Sequence, residues 1–263
     1  MIKCILSVLK NNGIIDFLKF IYTNTKIHNI SNILSFINAI FCVYFMYQYN
    51  KTKNIALFLK LAFYIFIPFL VIDLFITIYL IINKYDKKKC YEIVFHHILT
   101  LLLITWVYFI GIFRAPNVVY ILILFETSTI FLNLRFWIKE YIKSFEATTN
   151  AIPTFIKILN PVVDVLFTVT FIYLRCYVFL KDIIFNKDFY NTLFVDGLFI
   201  NKLFIVLIFV FLLLNFYWSF VIFKTLHKNL QKFVKDKYED KDEQLALIEK
   251  INLDIIKNRN QLV

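Results

Sequence analysis

The chain has 263 residues, of which 60% are hydrophobic and 19% aromatic, with only 3 Gly and 4 Pro and a formal net charge of +11. Its mean hydropathy is +0.72. A soluble domain of this length cannot bury so much apolar surface, so lipid is the solvent and soluble folds are excluded. The four cysteines (Cys4, Cys42, Cys90, Cys176) form no CxxC pair and no ligand spacing, and read as apolar or interfacial thiols.

Residues 1–29 form a first region. Lys3, Lys10, Asp16 and Lys19 interrupt its apolar residues, which predicts an interfacial amphipathic helix rather than a span or a cleavable signal. Residues 30–224 then hold six apolar runs, at about 30–50, 55–83, 91–111, 117–138, 154–180 and 198–224. Each is long enough to cross ~30 Å of hydrocarbon at ~1.5 Å rise per residue. Pro68 falls inside the second run and predicts a kink, whereas Pro116 and Pro153 stand just before the fourth and fifth, where proline suits a helix start. Strand alternation is absent, so a barrel is excluded. Residues 225–263 mix both charge signs with Leu245, Ile248, Leu253 and Ile256 at helical spacing. They read as a charged cytosolic tail, either a solvated helix or partly disordered, with a docking helix for a protein partner as the alternative. The fold expected is all-α, a polytopic membrane protein built as a six-helix bundle.

Orientation follows from the loops. Nineteen counted Lys and Arg residues fall on the side of the N-terminal segment, the second and fourth loops and the tail, against five (Lys51, Lys53, Arg114, Lys181, Lys187) on the other. Both termini are therefore predicted to be cytosolic.

Polar groups interrupt the apolar runs. Asp73 lies in the second, His96 and His97 in the third, Glu126, Asn133 and Arg135 in the fourth, Asp164 and Arg175 in the fifth and Asn215 in the sixth. A charged side chain at the bilayer centre costs at least ~2.5–3.5 kcal/mol without a partner or water, so these groups predict a polar interior able to accommodate lipid. Most of them fall in the cytosolic half. Arg175 lies nearer the far face, where it is expected to snorkel. Glu126, Thr129 and Asn133 share one helix face, as do Asp164, Thr168 and Arg175. His96 and His97 diverge by ~100° in a regular helix, so one is expected to face the interior and the other to bond a neighbouring helix.

Four histidines are too few for a di-iron hydroxylase. No strained Gly-x-Ser element suggests an intramembrane serine protease, and no ring of charge or filter loop suggests a pore. Glu92 and His96 supply two metal ligands at i, i+4 without an assured third, so no metal is expected. What remains is a histidine acting as base or nucleophile with a carboxylate orienting it, or a set of helix-to-helix hydrogen bonds.

Six spans, an HH pair in the third, and Glu126, Ser128, Phe131, Asn133 and Arg135 in the fourth resemble the TLC domain, named for TRAM, Lag and CLN proteins. Asp73 and the string Leu214, Asn215, Tyr217 and Trp218 also fit, and the resemblance covers about residues 30–224. Ceramide synthases of that family use the histidine pair in acyl transfer from acyl-CoA and carry three acids in the following span. Here those positions read Glu126, Thr129 and Asn133, a pattern more similar to the TLC-domain-containing proteins of lipid homeostasis. The resemblance implies a multi-pass protein, in the endoplasmic reticulum, that binds or senses acyl chains and influences membrane lipid composition. Its cavity residues would be Asp73, Asn133, Arg135, Asp164 and Asn215. An acyltransferase taking acyl-CoA as substrate would use His96, His97 and Glu126 as catalytic residues, and a cargo or assembly factor is a third reading. No cofactor is implied; membrane lipids are the expected partners, with no nucleic acid.

Overall fold

The computed structural model describes residues 14–23, 27–83, 87–109, 116–146, 152–194 and 199–260. By packing, the chain divides into two units, Met1–Phe220 and Val221–Val263. Among the described residues there are helices and no strand: α1 (Ile14–Thr23), α2 (Ile27–Thr52), α3 (Ile55–Leu61), α4 (Ile67–Ile82), α5 (Lys87–Phe109), α6 (Pro116–Glu146), α7 (Thr154–Ile172), α8 (Lys187–Phe194) and α9 (Phe199–Asn260). Six stretches are long and apolar enough to cross a membrane: Asn29–Thr52, Ile55–Ile82, Cys90–Val107, Val118–Phe145, Thr154–Ile184 and Lys202–Gln231. They correspond one for one to the six apolar runs, and the protein is an all-α, multi-pass membrane bundle.

The prolines act as their backbone chemistry requires. Pro116 opens α6 and Pro153 precedes α7. Pro68 has no N–H to give to a carbonyl one turn back. The second span absorbs this with a π-helical turn at Ala62–Phe66, where the Ile67 N–H bonds the Ala62 carbonyl five residues earlier. The interruption expected from Pro68 thus takes the form of a π-bulge between α3 and α4. Pro161, which the sequence analysis does not single out, lies inside α7. Beyond Ile172 the fifth span continues through two π-helical stretches, Tyr173–Val178 and Leu180–Ile184.

Packing is closest between α2 and α6, α6 and α7, and α4 and α5. The main apolar core runs through these spans and α9, with Phe66, Leu103, Ile104, Phe125, Phe179, Phe204 and Phe211 fully buried. A second cluster joins Phe17 of α1 to Trp137, Ile138 and Tyr141 of α6 and to Ile156 and Val163 of α7. The Phe17 ring meets Tyr141 edge-on at 5.2 Å. Of the N-terminal segment, α1 is therefore seated on protein, while residues 1–13 lie outside the described residues. Tyr64, Phe75, Ile82, Leu213 and Phe220 turn outward, as lipid-facing side chains do.

Candidate functional site

Asp73 projects from α4 into the bundle and is the hub of one polar group. Its Oδ2 lies 2.7 Å from His97 Nε2 of α5, and Ser31 Oγ of α2 donates to its Oδ1. Three spans thus converge on one buried carboxylate. Because a carboxylate only accepts, His97 Nε2 is the donor in this contact, and Nδ1 is the ring nitrogen left over. That Nδ1 is buried and has no hydrogen-bond partner among the described residues.

The adjacent histidine goes elsewhere, as the ~100° step of a helix requires. The His96 ring stacks on Phe211 at 5.5 Å and meets Trp218 edge-on at 5.1 Å, both on α9. Its Nδ1 is likewise buried without a partner. The two imidazoles remain close, with centroids 5.6 Å apart. His97 is thus the histidine that bonds a neighbouring helix, and both rings are buried.

Glu126 and Arg175 form a second group. Arg175 Nη2 lies 3.8 Å from Glu126 Oε1, and Thr129 Oγ1 donates to Glu126 Oε2 at 3.1 Å. Arg175 also donates to Ser128 Oγ at 3.4 Å and to the Phe125 carbonyl at 3.5 Å. Its guanidinium lies over the rings of Phe171 at 4.9 Å and Phe125 at 5.5 Å. Snorkelling, expected from its depth, does not occur. Arg175 is buried because Glu126 supplies charge and the two rings supply quadrupole attraction inside the bundle.

Asp164 of α7 centres a third group. Arg135 Nε donates to its Oδ1, and Lys139 Nζ lies 3.5 Å from the same oxygen. Arg135 and Lys139 stand one turn apart on α6, so both reach one carboxylate. Asn133 donates to Ser35 of α2 at 3.3 Å. Asn215 of α9 donates to the Phe211 carbonyl at 2.9 Å, leaving its Oδ1 buried and unpartnered. The eight candidate catalytic and cavity residues thus fall into separate contacts: Asp73 with His97, Arg135 with Asp164, and Glu126, His96, Asn133 and Asn215 each with other neighbours. Glu92 meets the Tyr217 hydroxyl at 3.4 Å. Ser31, Ser35, Thr100 and Lys139 belong to this polar interior but were not singled out by the sequence as site residues, whereas Ser128 stood in the fourth-span motif. The face of α2 that bears Ser31, Ser35, Asn38 and Cys42 at i, i+4, i+7 and i+11 was the pattern that could have revealed the two serines.

The model of the TLC domain family matches residues 24–224. The chain belongs to the TLC domain family. No curated protein and no solved structure matches it.

Proposed function

We propose that this TLC-domain membrane protein binds or senses lipid acyl chains, in the endoplasmic reticulum, and so contributes to membrane lipid composition. The observation that carries the reading is the Asp73–His97 pair, held by Ser31, with His97 Nδ1 buried and unpartnered. A bundle that needed these groups for packing alone would gain by pairing that nitrogen, since an unpaired buried polar atom costs about 1–3 kcal/mol. Lipidomics of a deletion strain rescued by the wild-type chain tests the function. Restored lipid composition supports it, and no difference between the deletion and rescued strains overturns it. The orientation in this reading has both termini in the cytosol. Tags at residues 1 and 263 should both be cut by protease in sealed vesicles, and protection of just one overturns it.

An acyl-CoA-dependent acyltransferase is the second reading, favoured by the 2.7 Å contact between Asp73 and His97. In it an acceptor hydroxyl or amine attacks the thioester carbonyl while His97 Nδ1 takes its proton. The carbon–sulfur bond then breaks and the proton passes to the departing thiolate, with Asp73 holding the imidazole throughout. Gln at position 97 keeps hydrogen-bonding capacity but not an imidazole base. His97→Gln is therefore expected to leave expression near normal and lower an acyltransferase rate by about 10²–10⁴-fold. A lipid phenotype that survives both His96→Gln and His97→Gln removes this reading and leaves the binding one. Acylation of a sphingoid base is expected to be weak or absent, since two of the three acid positions are Thr129 and Asn133 and Glu126 faces Arg175. Rates like those of a ceramide synthase in the purified protein would contradict this.

A further inference from the structure

The seam between α5 and α9 combines aromatic packing with polar atoms that have no hydrogen-bond partner among the described residues. Trp106 stacks on Phe204 at 6.0 Å at one end, and His96 lies against Phe211 and Trp218 at the other. Asn215 stands between Phe211 and Trp218 at i+4 and i+7 spacing, which puts it on the α9 face that meets His96. Thr100 is one turn from His96 on the same side of α5. Eight buried side-chain atoms lack a partner among the described residues, and four of them belong to this seam: Trp106 Nε1, Thr100 Oγ1, His96 Nδ1 and Asn215 Oδ1. His96, Thr100 and Asn215 are each more than nine-tenths buried. The Asn215 amide nitrogen is already committed to the Phe211 carbonyl, so what it offers the seam is an acceptor.

We propose that this seam binds the polar end of a neutral, hydroxyl-bearing lipid, of the long-chain alcohol or diacylglycerol class, whose hydrocarbon lies along α9. Trp106 lies ten residues, about 15 Å, along α5 from His96 and is out of reach of a group seated there, but Asn215 Oδ1 requires a hydrogen-bond donor from the ligand and the Thr100 hydroxyl can donate to an acceptor on it. A hydroxyl is both. An ionised headgroup fits badly, because no Asp, Glu, Lys or Arg lies between His96 and Trp106 on α5 or between Phe204 and Trp218 on α9, Glu92 meets only the exposed Tyr217 hydroxyl among the described residues, and Arg175 is matched by Glu126. Burying a further charge there without its own partner is strongly unfavourable. Leu213, Phe216 and Tyr217 on the outward side of α9 are exposed and offer an apolar track for the chain. The inference rests on the lipid-binding reading above and adds the headgroup chemistry and the place.

Full-length protein in detergent micelles should be titrated with hexadecanol, palmitate, hexadecylamine and hexadecane, following its thermal unfolding midpoint, and with dioleoylglycerol as the two-chain probe. Hexadecanol and dioleoylglycerol are expected to raise the midpoint, and the ionised and hydrocarbon probes to leave it unchanged. Asn215→Leu, and independently Thr100→Val, should weaken the hexadecanol response about tenfold, the effect of one hydrogen bond. Palmitate or hexadecylamine acting as strongly as the alcohol overturns the neutral-hydroxyl inference and leaves lipid binding standing. An alcohol response unchanged in both folded variants also overturns it. If no probe of any headgroup shifts the wild-type midpoint, the seam inference and the lipid-binding reading fall together.

Discussion

The α2–α6 interface and the α5–α9 seam are both buried contacts between spans, and they differ in how much they rely on hydrogen bonds. Along the first, most polar atoms find one another: Asn133 reaches Ser35, and the Trp137 indole donates to Asn29 Oδ1 at 2.7 Å while the Asn29 amide donates to the Ile21 carbonyl at 3.0 Å, Asn38 being the exception, with both amide atoms buried and unpartnered among the described residues. Along the second, rings hold the helices together, Tyr217 and Glu92 make an exposed hydrogen bond, and His96, Thr100, Trp106 and Asn215 keep interior atoms that have no partner among the described residues. Lipid tails are as apolar as leucine, so the hydrophobic effect does not pull spans together, and packing and interhelical hydrogen bonds must do so. The first interface uses that resource for the fold. The second withholds it, which is what a surface reserved for another molecule looks like.

The largest effect is expected on the satisfied side of this comparison, at the Glu126–Arg175 pair. Arg175→Ala leaves Glu126 buried without its cation and removes two ring contacts, so a loss of about 3–5 kcal/mol is expected, seen as low yield and early unfolding in detergent. Glu126→Gln combined with Arg175→Met should recover much of it, because replacing both partners by groups of similar volume removes the uncompensated charge. A double variant no more stable than Arg175→Ala would show that the rings, not the charges, hold the contact.

A smaller loss, about 1–2 kcal/mol, is expected for Trp137→Phe, which keeps most of the packing against Phe36 and removes the donor to Asn29. Smaller still is the effect of Asn133→Leu, about 0.6 kcal/mol, the typical worth of an interhelical hydrogen bond in a membrane protein. These two should be measured beside Asn215→Leu under the same conditions. Asn215 loses only a bond to its own helix and sheds an unpaired acceptor, so that substitution is expected to be neutral or stabilising, a change of about 0–1 kcal/mol. If Asn215→Leu destabilises as much as Trp137→Phe, the two interfaces are built alike and the contrast between them disappears.

What the amino-acid sequence determined by itself is the number of spans, their helical nature and which of them carry polar groups. Each is a local property: ~20 apolar residues in a row cross the hydrocarbon, the backbone must satisfy itself within that segment, and a charge at that depth needs a partner. Hence six runs became six apolar helices, Pro116 and Pro153 marked two helix starts, and the seven buried acids, histidines and amides from Asp73 to Asn215 stood out against their surroundings. What only the tertiary structure decided is who meets whom. Phase within one helix says that His96 and His97 diverge, but not that His97 finds Asp73 while His96 rests on Phe211 and Trp218. Depth along one helix suggests an outward Arg175, yet the rotation of the fifth span against α6 brings it to Glu126. Ser31 and Ser35 are ordinary in the chain and become partners of Asp73 and Asn133 only because α2 lies between α4 and α6. Pairing depends on the relative rotation and translation of separate helices, which side-chain packing between spans sets and which no single apolar run encodes.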